Sequence, residues 1–401
     1  MNRDTNHYDV IISGGGMVGV SMATALGQAN IKVAVIEPHL PILEWPRAEY
    51  DIRVSAITRA TEKIFNRVGA WQKMVKMRVA PYQHMQVWDE SGDGSIHFDS
   101  TDLGEPNLGH IIENSVIHKA LLERLHEIND QLDSIELITP AQIIELKQHE
   151  GHVDLSLDNG RELSAKLLIA ADGANSWIRD QVGITTTGWL YDQSAVVATI
   201  QSSKSHRHTA WQQFMKRGPL AFLPLNQSDL SSIVWSTSHA EAARLADLSK
   251  EEFLLELHEA FGDELGEMIS VDSRGAFPLQ LKHANHYCSD RVVLIGNAAH
   301  AIHPLAGQGL NLGINDVAEL SKLIIKAHHA QKDWGDYALL RRYERARKGE
   351  NVAVMAAMDG FKRLFSNDQP LLKTVRNIGL NLADHAGPIK NQIIRQAMGL
   401  K

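Results

Sequence analysis

Three glycines near the start of the chain, Gly14, Gly16 and Gly19, restrict the fold more than any other feature. They follow an apolar run, Val10, Ile11 and Ile12, and precede Val20, Ala23 and Leu26 at helical spacing. A second β-prone run fills residues 31–36 and ends at Glu37. Strand, tight turn, helix and strand in that order predict a βαβ unit. In such a unit the first glycine makes the turn and the second lets a pyrophosphate reach the backbone. The third lets helix and strand pack closely, and an acid ending the second strand holds ribose hydroxyls. Gly14, Gly16, Gly19 and Glu37 are therefore expected to bind the adenosine half of a dinucleotide. Only one such fingerprint occurs, and there is no Cys-x-x-Cys, so a second dinucleotide domain and a redox disulfide are not expected.

A second informative stretch covers residues 290–316. Residues 292–295 are apolar throughout, as buried parallel strands are. Gly296, Asn297, Ala298 and Ala299 are small enough for close backbone approach. Pro304, Gly307, Gly309 and Gly313 shape a turn, and Val317, Leu320, Leu323 and Ile324 begin a helical pattern. Free N–H groups and the dipole at that helix start suit a cofactor that becomes anionic. The alternative is an ordinary strand-to-helix connection.

The chain of 401 residues is long enough for two or three domains or one interleaved one. Its net charge of −8 argues against nucleic acid as the main partner. A lone Cys288 excludes an internal disulfide framework and fits a reducing cytoplasm. No secretory signal and no apolar run of spanning length are present, so any membrane contact is expected to be peripheral.

Between these landmarks, Val54, Ile57, Ile64 and Phe65 are spaced for a helix that brings Arg47, Arg53 and Arg59 along, with Arg53 toward a phosphate or flavin, or else solvated at a helix start. Residues 84–98 alternate as a hairpin inserted from a sheet-based domain. Residues 134–169 predict a β-meander, with a turn at Asp158, Asn159 and Gly160. Asp172, Gly173, Ser176 and Arg179 form a second candidate phosphate or ribose contact, or else a capped strand-to-helix connection. Residues 185–280 predict an antiparallel sheet with one helix over 245–261. Its aromatic residues Trp211, Phe214, Phe222, Trp235 and Phe277 suit either a sheet core or an apolar substrate pocket. A long helix over 337–365 follows. Residues 371–398 are amphipathic and expected to dock on their own domain, or else to touch a membrane or partner.

Three blocks in one order carry a family resemblance: Gly14-x-Gly16-x-x-Gly19 with Glu37, Asp172-Gly173 with Ser176 and Arg179, and Gly296-Asn297-Ala298-Ala299-His300 with Pro304, Gly307, Gly309 and Asn311. Together they resemble the single-component FAD-dependent aromatic hydroxylases with the fold of para-hydroxybenzoate hydroxylase. The wording from His303 to Gly313, with Gly218-Pro219-Leu220-Ala221 and Arg341-Arg342-Tyr343-Glu344, resembles the ring hydroxylases of ubiquinone biosynthesis. The resemblance implies an α/β, Rossmann-like FAD-binding domain interleaved with an antiparallel-sheet substrate domain and followed by a helical C-terminus. The FAD domain is expected at 1–79, 105–184 and 281–345, the substrate domain at 80–104 and 185–280, and C-terminal helices at 346–401.

The resemblance further implies that Arg53 and Asn114 contact the flavin side. Asp172 would serve FAD and an incoming nicotinamide, Gly296 and Asn297 the ribityl chain, and the residues from Gly307 through Gly309 to Asn311 the ring. Asn297 stands where most of the superfamily has Asp, but its amide can both accept and donate hydrogen bonds to a hydroxyl. The implied reaction uses a flavin C4a-hydroperoxide to hydroxylate a polyprenylated phenol or quinol with O2, NAD(P)H or another reductant supplying electrons. Catalytic positions fall on His303, Pro304 and Gly307. His300 and His303 are candidate bases that could equally pack or cap. No metal set is expected, because no histidine shows ligand spacing with carboxylates. Implied partners are a ubiquinone-biosynthesis complex, a membrane surface or a second copy, and the implied location is the cytoplasm, against the inner membrane. A flavin oxidase, a halogenase and a non-catalytic flavoprotein are the competing readings. The ring carbon stays open.

Overall fold

The computed structural model describes residues 6–39, 42–46, 49–90, 92, 94–301, 309–365, 391, 395 and 398–399. Three sheets organise them. The first centres on β1 (Asn6–Ser13), whose Val10, Ile11 and Ile12 are fully buried. Strands β2 (Val33–Ile36) and β11 (Glu162–Ala170) flank it, both parallel. Beyond them lie β8 (Ile135–Ile138) on β2 and β18 (Val292–Leu294) on β11, again parallel. Three antiparallel strands complete the sheet: β17 (Cys288–Ser289) on β18, and β10 (Val153–Leu157) then β9 (Ile143–Gln148) on β11. Only β9, β10 and β11 form the meander expected over 134–169. The first strand of that stretch joins β2 in parallel instead, because the long helix α4 (Asn114–Leu132) delivers it there.

Helix α1 (Met17–Gly27) crosses from β1 to β2 on one side, whereas β11 adds on the other. The order therefore reverses between β1 and β11, and the carboxyl ends of those strands open a crevice suited to a ligand.

The second sheet runs β19-β16-β12-β15-β14-β13-β5-β6. Its strands are β5 (His84–Asp89), β6 (Ser95–Asp99), β12 (Thr186–Ser202), β13 (Thr209–Phe214), β14 (Leu220–Pro224), β15 (Leu230–Thr237), β16 (Met268–Ala284) and β19 (His300–Ala301). All neighbours are antiparallel except β5 and β13, which run parallel where the 84–98 hairpin is inserted. The helix expected over 245–261 is two: α6 (His239–Asp247) and α7 (Lys250–Phe261). Leu248 is extended, and Ser249 with Glu252 forms a capping box that restarts the helix. Phe253, Leu257 and Phe261 of α7 pack with Phe222, Trp211 and Trp235, so those aromatics build sheet core.

The third sheet is small: β3 (Val54–Thr58), β7 (Gly109–Glu113) and β4 (Ala80–Tyr82), all antiparallel. Val54 and Ile57 thus lie on a strand, not on the expected helix, because β7 pairs with them. The helix begins later as α2 (Arg59–Val68), capped by Thr58, and α3 (Trp71–Met77) follows. Arg47 lies outside the described residues.

Helices α5 (Trp177–Gln181), α8 (Gly309–His329) and α9 (Tyr337–Phe365) complete the fold. The boundary set between residues 345 and 346 falls inside α9. Of the amphipathic stretch 371–398, most lies outside the described residues. Met398 is buried with Ala56, Tyr82 and Leu108, and its carbonyl accepts from the Ala60 N–H at 3.3 Å. No described helix is long and apolar enough to cross a membrane.

Candidate functional site

The crevice at the end of β1 is built by glycines with different tasks. Gly14 has φ +105°, and a Cβ there would stand 2.4 Å from the carbonyl oxygen of Ala171, the residue after β11. A Cβ on Gly19 would stand 1.9 Å from the Gly14 carbonyl oxygen. Both positions hold the β1–α1–β11 contact together. At Gly16 a Cβ would meet nothing within 4 Å, so this residue faces open space. Gly16 is the N-cap of α1 and brings no side chain to cap it, and the first turn holds no acid. The helix start therefore presents unpaired N–H groups and its positive dipole end. This is a fitting cradle for the pyrophosphate of FAD.

Glu37 follows β2 and turns its carboxylate to this cradle. It accepts from the Gly15 N–H at 2.6 Å and from the His39 N–H at 3.1 Å. Each oxygen keeps a lone pair for a ribose hydroxyl. His118 of α4 meets the Gly15 carbonyl at 2.7 Å and fixes the same turn.

Asp172 stands beside Gly14 at the end of β11. Its Oδ2 accepts from the Ile178 N–H at 3.1 Å, while its buried Oδ1 has no partner among the described residues. Burial raises the Asp172 carboxyl above its ordinary value, and local hydrogen bonds offset part of this. An orphaned acceptor at the crevice fits a ligand hydroxyl. Arg179, almost fully buried, is no phosphate contact. It donates to the carbonyls of Ala174 at 3.1 Å and Ala298 at 3.2 Å, tying this loop to the 296–298 loop.

Arg53 is exposed at the start of β3, with its guanidinium 5.9 Å from the Phe277 ring centre on β16. It thus bridges the third sheet and the second. Asn114 opens α4 and accepts from the Ser55 hydroxyl at 2.7 Å, while its N–H donates to the Arg53 carbonyl. Glu113 next to it is buried, is paired with Arg78 at 2.6 Å and accepts from the Asp51 N–H.

The remaining expected positions cluster after β18. Gly296 has φ +58° and Asn297 is exposed beside it. The Gly296 N–H donates at 3.0 Å to Asp316, which is fully buried in α8. The same carboxylate meets His300 Nε2 at 2.5 Å and accepts from Arg347 Nε of α9 at 2.8 Å. Burial opposes the charge on Asp316, but His300 and Arg347 outweigh it and hold the carboxyl below its ordinary value. His300 is itself buried, and its Nδ1 has no partner among the described residues. Asn351 joins Arg347 to the Tyr287 hydroxyl, which meets His283 Nε2 at 3.0 Å. Burial pushes the His283 imidazole down to about 4. These polar partners lie far apart in sequence and were missed there; Asp316 closes the central stretch, and Arg347 follows the Arg-Arg-Tyr-Glu helix.

Gly309 opens α8. Asn311 does not face open space: its Nδ2 donates to the Ala56 carbonyl at 2.7 Å and its Oδ1 accepts from the Thr58 N–H at 3.1 Å. It pins α8 to β3. His303, Pro304 and Gly307 lie outside the described residues.

A family profile described as FAD binding domain matches residues 7–357. The chain is 36% identical over 392 residues to 3-demethoxyubiquinol 3-hydroxylase of Escherichia coli (strain K12), covering 98% of each chain. It is 36% identical over 432 residues to the mitochondrial ubiquinone biosynthesis monooxygenase COQ6 of Homo sapiens, covering 96% of this chain and 92% of that one. Among solved structures, p-nitrophenol 4-monooxygenase PnpA from Pseudomonas putida DLL-E4 superimposes with a TM-score of 0.78 at 20% identity, over 98% of both chains. That likeness establishes the fold.

Proposed function

Because the chain belongs to the FAD binding domain family and is an FAD-dependent aromatic ring monooxygenase, we propose that it hydroxylates the ring of a polyprenylated phenol or quinol in ubiquinone biosynthesis. The observation that carries this reading is the likeness to 3-demethoxyubiquinol 3-hydroxylase over 98% of both chains. It rests on a chain whose glycine cradle, Glu37 and Asp172 fit the cofactor.

Bound FAD would supply the oxygen-activating chemistry. The protein's part is binding and orientation. Gly14, Gly16 and Gly19 would receive the pyrophosphate at the start of α1, with Glu37 on the adenosine ribose. Asp172 would serve FAD and the incoming nicotinamide, Gly296 and Asn297 the ribityl side, with Arg53 and Asn114 toward the ring. Asn311 acts by holding α8 against β3, which sets where Gly309 stands. His303, Pro304 and Gly307 are proposed to sit nearest the reacting ring.

In this reading residues 1–79, 105–184 and 281–345 serve the cofactor, and 80–104 with 185–280 serve the substrate. NAD(P)H or another reductant supplies electrons. The enzyme works in the cytoplasm, against the inner membrane or within a complex of the same biosynthesis. The test is lipid analysis of a strain lacking the chain. An accumulated intermediate missing one ring hydroxyl supports the reading and names the position; an unchanged quinone pool overturns it.

A further inference from the structure

The hairpin joining β9 to β10 carries a ligand set that the proposed chemistry does not use. The His149 N–H donates to the His152 carbonyl at 2.9 Å, closing a turn over Glu150 and Gly151. Strand alternation keeps Lys147 and His149 on the same face as their partners Asp154 and His152. The two imidazoles stack with centres 4.6 Å apart and planes 18° from parallel. His149 Nε2 lies 3.1 Å, and His152 Nε2 3.5 Å, from one oxygen, Asp154 Oδ2. The hairpin is fastened to the body of the first sheet. Arg291 Nε donates to the Glu150 carbonyl at 3.2 Å while its guanidinium forks onto Asp333, and Gln148 Nε2 donates to the Asp290 carbonyl at 2.5 Å.

The geometry points to a site for a divalent transition-metal cation, zinc above all, held by His149, His152 and Asp154. Zinc binds imidazole nitrogen and carboxylate oxygen at about 2.0–2.2 Å in a tetrahedral array, which sets neighbouring ligand atoms roughly 3.3–3.5 Å apart. The two observed separations, 3.1 and 3.5 Å, are close to that edge length, and the stacked rings turn about their side-chain torsions on this exposed hairpin to aim both in-plane lone pairs at one ion. Each Nε2 gives its lone pair to the ion, and any proton it carried passes to Nδ1 or to water. The imidazoles are 44% and 46% exposed, which leaves the fourth position to solvent. The three side chains converge on the single oxygen Asp154 Oδ2 instead of each facing solvent separately. Lys147 is drawn off toward Glu145 at 3.0 Å and does not fill the place of the ion. The spacing His149-x-x-His152-x-Asp154 escaped the sequence reading because its convergence depends on the turn.

His84, His97 and Asp99 also gather on the β5–β6 hairpin, where Asp99 Oδ1 accepts from Thr101, His97 Nδ1 meets Gln86 Oε1 at 3.0 Å and Asp99 Oδ2 faces His84 Nδ1 at 3.4 Å. They make the control. The full-length chain, free of any tag and stripped with chelator, is titrated with Zn2+ by calorimetry. His149→Ala/His152→Ala and His84→Ala/His97→Ala variants run beside it. Wild type and the second variant should bind one equivalent more than the first, and Asp154→Asn should weaken that equivalent at least tenfold. Equal binding by wild type and His149→Ala/His152→Ala overturns the proposal. So does loss of the equivalent only in the His84→Ala/His97→Ala variant.

Discussion

Arg347 donates through Nε to Asp316 at 2.8 Å, and both side chains are buried. This bond ties α9 to α8, and the same carboxylate holds the Gly296 N–H of the loop assigned to the cofactor. Removing one partner of a buried ion pair leaves the other charge uncompensated, at a cost of about 3–5 kcal/mol. Arg347→Met should therefore lose that much stability in urea titration. It should also release FAD more readily, since Asp316, which anchors the Gly296 N–H, loses the guanidinium that holds its carboxylate in place. Unchanged stability would mean that Asp316 is satisfied by His300 and Gly296 alone.

Two histidines make the fold sensitive to mild acid. Burial pushes His283 and His110 each down to about 4. Unfolded, each titrates near ~6.5. Between those values the unfolded chain binds protons that the folded chain refuses, so stability rises with pH there. The contribution is fully present above about pH 6.5 and is lost as pH falls toward 4, at ~1.4 kcal/mol per pH unit for each histidine. Urea midpoints at several pH values check this. His110→Gln should flatten the slope, and an unaltered slope would contradict the assignment.

Asn311 spends both ends of its amide on β3, at Ala56 and Thr58. Asn311→Leu leaves the buried Ala56 carbonyl and the partly buried Thr58 N–H unpaired, at about 1–3 kcal/mol for the buried group and less for the other. The expected outcome is lower stability with faster hydrogen exchange at the Thr58 amide. Exchange that stays as slow as in wild type would contradict the pinning role.

The cradle was legible in the sequence because each glycine answers a local demand: a left-handed turn at Gly14, a helix–strand contact at Gly19, an open face at Gly16. The hairpin at β5 and β6 was legible through its alternation. What escaped depends on distant partners. Val54 and Ile57 sit at a spacing that suits a helix, and only pairing with β7 makes them a strand. The His300, Asp316 and Arg347 cluster shows no local pattern, since Asp316 meets His300 16 residues away and Arg347 31 residues away. The motif assigns Asn311 to the ring side, and it does not show that the amide is engaged by the backbone of β3.

The most direct measurement uses Gly16, where a Cβ meets no protein atom within 4 Å. A side chain there should leave the fold intact and obstruct only the path of a pyrophosphate. FAD affinity, read by flavin fluorescence in Gly16→Val and wild type, should fall at least tenfold. The melting temperature of the FAD-free variant should stay near that of the FAD-free wild type. FAD binding equally tight in both proteins would contradict a cofactor lying across this glycine turn.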